Sequence, residues 1–207
     1  MIEFVSPKQC IVRYCTWSKI SKLMKQYHYK EDHIGGNIEK CFGLYFQNRL
    51  IGGMAFGYPR HNKKYSQNGK YKVWDLRRLC CIDDTPKNTE SYFIGKVLKI
   101  IRDKTDVDFV ISYSDTTVGH YGIIYRASNF EQIGTTGKSK YVLWNNKRYH
   151  VRSLTIDRPY SYRLREAIKT GEAELKIGKE KFIYRYKIRR KNNMNKIKQL
   201  VLFEGGD

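Results

Sequence analysis

The chain has 207 residues, enough to bury one sizeable core, so a single domain is expected. Its 40 Lys and Arg residues against 20 Asp and Glu residues give a formal net charge of +20, which would repel itself without an anionic partner. Nucleic acid is the favoured partner, because the sequence offers an anionic membrane surface neither an amphipathic basic helix nor a lipidation signal.

The start of the chain and its cysteines bear on the compartment. The opening MIEFVSPKQCIVRYC has an early acid and no uninterrupted apolar stretch, so no signal peptide is predicted. No stretch approaches the roughly 18 apolar residues of a membrane-spanning helix. The five cysteines include no CxxC spacing, which fits neither a zinc ribbon nor a disulfide framework. We therefore expect reduced, packed thiols and a cytoplasmic protein, in the host cytoplasm if a phage encodes it.

The first part of the chain predicts a helix followed by strands. Apolar residues at helical spacing predict a helix over residues 16–29 that ends near His28. After a Gly-rich loop, the segment 41–59 predicts a β-hairpin with its turn at residues 47–48. The polar, basic segment 61–72 predicts an exposed loop, and the apolar run after it predicts a strand.

The remaining elements predict an α/β fold. Residues 91–104 place apolar side chains on one face of a helix, and 108–115 form an apolar strand that ends in polar residues. A loop then enters a short helix, and a hairpin is predicted around residues 145–146. Alternation over 178–191 predicts a strand with one buried and one cationic face, followed by a loosely held tail. Strands and helices that alternate in this way indicate a central sheet.

The positive charge is concentrated in the last third of the chain. From Lys138 to Asp207 there are 19 Lys and Arg residues against 7 Asp and Glu residues, so this part carries +12 of the total +20. The chain also has 17 tyrosines, which can stack on bases and donate to phosphates. Composition therefore favours contact with nucleic acid.

The segment from Asp108 to Phe130 carries the strongest sign of chemistry. Its strand ends in Tyr113, Ser114 and Asp115, and ligands of open α/β sheets bind in the crevice beyond such strand ends. The alternative is that Ser114 and Asp115 only cap the following turn.

A family resemblance rests on these and other motifs. The strand FVISYSD followed by GIIYRASNFEQIG resembles the fourth-motif region of the GNAT superfamily of N-acetyltransferases. The chain resembles more specifically the Mom family of bacteriophage DNA-modification proteins. The matching motifs run in family order between about residues 15 and 190: YHY at 27–29, LIGGMAFGYP at 50–59, DLRRL at 75–79, SYSDTTVGHYGIIYRASNF at 112–130 and FIYRY at 182–186.

The resemblance implies a fold and an activity. The fold is α/β (α+β), with a GNAT-like central mixed sheet flanked by helices over residues 1–150. Residues 151–207 would form a basic C-terminal extension packed on the same domain, with a loose tail. The implied enzyme is a DNA-modifying transferase that adds a methylcarbamoyl group to the exocyclic amine of adenine in double-stranded DNA, which protects the DNA from host restriction.

The resemblance also implies the site residues. The family's functional positions fall on His28, Tyr29, Asp115 and Tyr125, with Ser114 beside them, and the first four are candidate ligands of an iron ion. Each has a rival interpretation. His28 could be an ordinary helix-terminal residue and Tyr125 a core aromatic, whereas a carboxylate at a strand end is a natural base or ligand.

One departure from the acetyltransferase pattern bears on the cofactor. The usual Gly-rich loop that holds the pyrophosphate of coenzyme A at a helix N-terminus is replaced here by DDTPKNTES. Thr89 or Ser91 could still cap the helix and leave its amides free for the cofactor. Acetyl-CoA is therefore kept as one candidate cofactor beside iron.

Basic residues in several segments are predicted to contact DNA. Arg77 and Arg78 alternate across a strand, so one should point to the sheet face that lines the cleft and the other away. An adenine amine inside a duplex is blocked by pairing and stacking, so the target base would be flipped into a pocket. The predicted DNA-contacting residues are Arg60, Lys63, Lys64, Arg77, Arg78, Arg189, Arg190 and Lys191.

Two other functions are compatible with the sequence. The first is an N-acetyltransferase of a small molecule or protein amine, which would have no need of the +20 charge. The second is a DNA-binding anti-defence protein that has kept the fold and lost the chemistry. Nucleoside mass spectrometry of DNA from expressing cells separates them.

Overall fold

The computed structural model of the protein describes Phe4, residues 6–28 and residues 38–189. It contains a seven-stranded mixed sheet with helices on both faces and a separate three-stranded sheet, which confirms the predicted fold class. The strands are β1 Ile11–Cys15, β2 Ile38–Phe46, β3 Arg49–Gly57, β4 Val73–Cys81, β5 Phe109–Asp115, β6 Glu131–Thr135, β7 Lys140–Trp144, β8 Lys147–His150, β9 Glu174–Ile177 and β10 Lys181–Lys187. The helices are α1 Trp17–Tyr27, α2 Asn62–Tyr65, α3 Thr89–Lys104, α4 Ile123–Ala127 and α5 Pro159–Lys169.

The large sheet has the strand order β1-β2-β3-β4-β5-β10-β6. All neighbours are antiparallel except β4 and β5, which are parallel. A parallel pair needs a crossover connection, and α3 supplies it. The last strand of the described residues, β10, lies between β5 and β6, so a segment remote in sequence completes the sheet.

Three helices, one on one face and two on the other, define the two faces of this sheet. On the face that we call the front, α1 buries Ile20, Leu23 and Met24 against Cys41 and Cys80. On the other, the back face, α3 and α4 cover the main apolar core. Buried aliphatic and aromatic area of this kind is the main contribution to stability, about 25 cal/mol per Å².

The helix and hairpin predictions are confirmed. The α1 helix ends at Tyr27, and the backbone N–H of His28 donates to the Met24 carbonyl at 3.1 Å. The β2–β3 turn has positive φ angles of 48° at Gln47 and 65° at Asn48, as a type I′ turn requires. In α3, Phe93 and Val97 are fully buried on the predicted face. The Gly-rich loop after the first helix and the predicted tail lie outside the described residues.

The segment 61–72 is more ordered than predicted. It contains the short helix α2, buries Ser66, and places Tyr65 against β5. At its end the backbone N–H of Lys72 donates to a carboxylate oxygen of Asp108 at 2.9 Å. The segment is largely exposed, as predicted, but two of its tyrosines contact β5, Tyr65 at Tyr113 and Tyr71 at Phe109.

A small module is inserted between β6 and β10. The strands β8-β7-β9 and α5 surround their own core, with Val142 and Leu164 fully buried and Ala167 and Ala173 nearly so. We call residues 138–179 the insert module. The sequence-based division at residue 150 falls inside this module, and the strand that follows the module returns to the large sheet.

The cysteines and the helices test two further expectations, that the thiols are packed and that no helix spans a membrane. Cys10, Cys41, Cys80 and Cys81 are buried and Cys15 is half-buried, as expected for packed thiols. Burial, with a smaller contribution from Cys15, raises the pKa of the Cys41 thiol to about 12. None of the helices in the described part of the chain is long and apolar enough to cross a membrane.

Candidate active site

The strands β4 and β5 part in the middle of the large sheet. Their parallel pairing runs from Val73 opposite Phe109 to Leu76 opposite Ser112, and each strand then continues for several residues. The hydroxyl of Ser112 donates to the Leu76 carbonyl at 3.0 Å, at the point where the pairing ends. Polar residues beyond this point border a crevice at the carboxyl ends of two parallel strands, the usual ligand site of such sheets.

A β-bulge at Arg77 changes the faces of β4. Phe56 of β3 is opposite Leu76 and Ala55 is opposite Arg78, so Arg77 is an extra residue. Asp75, which precedes the bulge, has its side chain on the front face. Arg78, which follows the bulge, has its side chain on the same face. The prediction that Arg77 and Arg78 divide between the two faces is wrong, because the bulge reverses the alternation.

Asp75 is a buried carboxyl on the front face of the crevice. Its side chain is 13% exposed, and its Oδ2 lies 3.9 Å from Nε of Arg77. Its Oδ1 is buried with no hydrogen-bond partner among the described residues. Burial raises the pKa of Asp75 to about 7, against the opposing charges of Arg77 and Arg78. A carboxyl with this pKa can exchange a proton at neutral pH.

The segment 58–72 covers Asp75 and the neighbouring part of β5. A guanidinium nitrogen of Arg77 donates to the Tyr58 carbonyl, and the hydroxyl of Tyr113 donates to that of Tyr65 at 3.0 Å. Burial, this hydrogen bond and nearby negative groups raise the pKa of Tyr113, against the charge of Arg60. The phenol is therefore kept neutral and can act only as a hydrogen-bonding group.

Asp115 lies on the front face at the end of β5. Its side chain is 12% exposed, with Oδ2 at 2.8 Å from Nζ of Lys181 on β10. Its Oδ1 accepts from the backbone N–H of Thr117 at 3.1 Å, so the cap expected in the alternative interpretation is present. Burial opposes ionisation, but Lys181 and Thr117 together lower the pKa of Asp115. Asp115 is thus ionised in the pH range in which Asp75 gains or loses its proton.

Ser114 and Tyr125 lie behind the sheet. Ser112 is paired with Tyr184 of β10, and Tyr125 is stacked on Tyr184 with ring centroids 5.1 Å apart. Alternation along β5 puts Ser112 and Ser114 on this back face and Asp115 on the front. The Ser114 hydroxyl is buried with no hydrogen-bond partner among the described residues. The structure therefore separates Tyr125 from Asp115 by the thickness of the sheet.

Gly122 permits this aromatic packing. Its φ angle is 72°, and a Cβ there would lie 2.3 Å from the Tyr184 ring. We expect Gly122→Ala to lower the unfolding free energy by about 3 kcal/mol, or the melting temperature by about 6–12 °C, through overpacking and backbone strain. Gly119→Ala is the matched control, because Gly119 has φ 79° and nothing within 4 Å of a Cβ. Equal decreases in the two variants would contradict the packing role of Gly122.

The predicted iron site is not supported by the described residues. His28 and Asp115 are on front-face elements, whereas Tyr125 is behind the sheet, and Tyr29 lies outside the described residues. Both oxygens of Asp115 already have partners in Lys181 and Thr117. In residues 6–28 and 38–189, no three His, Cys, Asp or Glu side chains gather as a metal site would require. His28 is buried at the end of α1.

A cavity of about 310 Å³ opens on the back of the molecule between α3, α4 and the end of β10. Its lining includes Ser91, Gly95, Lys99, Ser128 and Arg189. The Ser128 hydroxyl is buried with no hydrogen-bond partner among the described residues. Cations and a buried hydroxyl at one cavity fit a phosphate-bearing ligand.

The two residues predicted to bind a cofactor differ in position. Thr89 is fully buried and its hydroxyl donates to the Pro86 carbonyl at 2.6 Å, so it shapes the turn before α3. Ser91 lines the cavity, although its hydroxyl donates to the Asn88 carbonyl at 3.0 Å. Of the two, only Ser91 is in a place to contact a ligand of the cavity.

The predicted DNA-contacting residues fall in three places. Arg60, Lys63 and Lys64 are exposed on the segment that covers the front of the crevice. Arg77 and Arg78 lie near Asp75 at the crevice, where their charges oppose the rise of its pKa. Arg189 is exposed beside the rear cavity, and Arg190 and Lys191 lie outside the described residues.

Sequence reasoning gave no role to Asp75, to the Tyr113 hydroxyl or to Ser128. A signal for Asp75 was present, since it stands in the strand between the apolar residues Trp74 and Leu76. An acid at such a position is rarely buried without a reason. No comparable signal marks Ser128, because its burial depends on α3 and β10.

The fold of the protein matches that of solved GNAT acetyltransferases. The chain is similar in structure to Arabidopsis thaliana NAA60 in complex with acetyl-CoA, with a TM-score of 0.54, 10% identity and coverage of 86% of this chain and 98% of that one. It is also similar to the ribosomal-protein-S18-alanine N-acetyltransferase of Escherichia coli, with a TM-score of 0.52, 6% identity and coverage of 89% and 97%. A Bacillus subtilis acetyltransferase in complex with CoA gives a TM-score of 0.51, 7% identity and coverage of 87% and 99%.

Within this fold, the chain belongs to the Mom protein family, whose model matches residues 9–201. This confirms the family prediction. The chain is 33% identical over 115 residues to the methylcarbamoylase mom of Escherichia phage Mu. That match covers 52% of this chain and 46% of the phage Mu protein, so the chain matches about half of its relative's length.

Proposed function

We propose that this protein is a DNA-modifying transferase that adds a methylcarbamoyl group to the exocyclic amine of adenine in double-stranded DNA. The observation that carries the proposal is the pair of front-face carboxyls, Asp75 and Asp115, whose pKa values the fold moves in opposite directions. Divergent pKa values of this kind mark an acid–base site. The relative in phage Mu is named a methylcarbamoylase, and the net charge of +20 suits a DNA substrate.

The two carboxyls would serve different steps. An exocyclic amine becomes a better nucleophile as its proton is removed, and Asp75, with a pKa of about 7, is the group suited to accept that proton. Its unpartnered Oδ1 is the atom that would receive it. Asp115 stays anionic, and because it lies four residues along β5 from Ile111, the residue opposite Asp75, it would hold a different polar group of the substrate. The adenine must leave the base stack to reach either group.

The rear cavity would hold the donor of the transferred group. Related structures contain acetyl-CoA or CoA, and the cations and Ser128 of the cavity fit the phosphates of such a molecule. An acetyl thioester would supply an acetyl group only, so transfer of a methylcarbamoyl group would require a donor that carries this unit with its own leaving group on the CH2 carbon. Lys99 and Arg189 would bind its phosphates, and the Ser128 hydroxyl would donate to one of them.

Nucleoside mass spectrometry tests the proposal. DNA from bacteria that express the protein should contain a deoxyadenosine heavier by one methylcarbamoyl group, and should resist restriction enzymes whose sites contain the altered base. Cells expressing an Asp75→Asn/Asp115→Asn double variant are the control. Unmodified DNA in cells with abundant folded protein would refute the proposal, and acetylated protein or small-molecule amines in those cells would favour a different acceptor.

A further inference from the structure

The insert module is attached to the sheet beside the candidate cleft. The hydroxyl of Thr116 donates to the Glu180 carbonyl at 2.5 Å, and the backbone N–H of Lys179 donates to the Thr117 hydroxyl at 3.1 Å. Both threonines belong to the turn that begins at Asp115. The end of the module is therefore fixed to the turn that follows Asp115.

The module has the internal packing of a rigid platform. Val142 and Leu164 are fully buried in its own core, with Ala167 beside them. A guanidinium nitrogen of Arg165 donates to the Leu154 carbonyl at 2.9 Å, which fixes the 3-10 turn before α5 to that helix. A surface on such a platform keeps its geometry when a partner binds, so less ordering entropy is lost.

The surface of the module carries an excess of cations. Between residues 138 and 179 there are eleven Lys and Arg residues against four acids. Two of those acids, Glu166 and Glu174, are paired with Lys169 and Lys176 of the same module. Most of its cations are therefore left to attract an external anion.

Exposed arginines and tyrosines are grouped in α5 and in the segment just before it. We call this group the insert surface, and it comprises Arg152, Arg158, Tyr160, Tyr162 and Arg163. All five are exposed, Tyr162 by 61% and Tyr160 by 40%. Guanidinium groups bind phosphates in a bidentate manner, and tyrosine hydroxyls donate to them.

We propose that the insert surface is the docking site for the phosphate backbone of duplex DNA. The proposal rests on the proposed function for the identity of its partner and adds the surface that binds it. Attachment of the module to the turn after Asp115 then places the bound duplex with one base opposite the crevice. Contacts to phosphates alone predict binding with weak sequence preference and strong dependence on salt.

A triple variant in which three arginines of the insert surface are replaced by uncharged glutamines tests the docking site. Arg152→Gln, Arg158→Gln and Arg163→Gln are combined, and the affinity for a short fluorescent duplex is measured by anisotropy over a range of salt concentrations. We expect affinity to fall at least about tenfold and the slope of log affinity against log salt to become shallower by about 2 to 3. The matched control combines Lys87→Gln, Lys96→Gln and Lys104→Gln, which removes the same charge from exposed positions on and beside α3.

The control should keep its affinity within about twofold and its salt slope unchanged. Equal losses in both variants, or wild-type affinity in the insert variant, would overturn the docking site. Tighter binding of the wild type to anionic phospholipid vesicles than to the duplex would overturn it too. If only the insert variant loses binding, and the DNA of cells that express the wild-type protein stays unmodified, the docking site is supported and the proposed function is refuted. If DNA is modified in cells that express the wild-type protein, but the insert variant binds DNA as tightly as the wild type, the proposed function is supported and the docking site is refuted.

Discussion

Replacing Asp115 by Asn is expected to lower the rate of DNA modification by at least about a hundredfold. Asn keeps the shape of the side chain and an oxygen that can accept from the backbone N–H of Thr117, but it removes the charge that pairs with Lys181. The orienting carboxylate is then lost and the ammonium of Lys181, 28% exposed, is left without its counter-ion. Modified deoxyadenosine is measured by nucleoside mass spectrometry, and DNA affinity is measured in parallel.

Glu131→Gln is the matched control for Asp115→Asn. Glu131 also pairs with a cation of β10, Arg185, at 3.0 Å, but its side chain is 69% exposed. Such an exposed pair contributes little, so the control should modify DNA at close to the wild-type rate. DNA affinity should be retained in the Asp115 variant, because loss of one acid cannot weaken attraction to phosphates. A folded Asp115→Asn protein with normal activity would show that the residue only caps its turn.

Replacing Asp75 by Asn is expected to remove both activity and its pH dependence near neutrality. In the wild type the rate should rise with pH and level off above about 7, as the buried carboxyl ionises and can accept the proton of the amine. The variant should be slower by at least about a hundredfold, with no inflection in that range. The measurement is the initial rate of modification on a duplex substrate from pH 5 to 9, as a function of added protein. An unchanged inflection near pH 7 in the variant would assign the titration to another group.

Stability measurements separate a catalytic loss from unfolding. Burial raises the pKa of Asp75 from an ordinary 3.8, so between about pH 4 and 7 the folded state binds more protons than the unfolded state. The wild type therefore loses part of its unfolding free energy as pH rises through this window. Asp75→Asn has no such group, and its stability relative to the wild type should increase over the same window. A variant that is inactive at pH 8 and at least as stable as the wild type cannot owe its inactivity to unfolding.

The pattern of apolar and polar residues within a short segment was sufficient to predict several helices, strands and turns. The apolar spacing of residues 17–27 is sufficient for α1, and the asparagine of the 47–48 turn tolerates the left-handed backbone that a two-residue hairpin needs. The polar end of β5 likewise identified Asp115 as a residue at a strand terminus. These features depend on neighbours a few residues away, so the sequence contains the necessary information.

Elements without a clear apolar pattern were missed. All five residues of β6 are exposed, and β1 has no buried residue, so neither shows the period of a half-buried strand. The helix α5 begins with PYSYR and was not predicted, because its few apolar residues are buried only against the strands of the insert module. The insert module was consequently divided at residue 150 instead of being seen as one unit.

The candidate site was decided by contacts between segments far apart in the chain. The raised pKa of Asp75 requires burial by the segment 58–72 and by β5, and the lowered pKa of Asp115 requires Lys181, 66 positions later in the sequence. The bulge at Arg77 exists only in the register with β3, and it places Arg78 on the same face as Asp75. Charge, helical periodicity and family motifs are properties of the chain itself. Which side chains share a face, lose water or gain a partner is a property of the assembled sheet, since desolvation and pairing act only after remote strands have met.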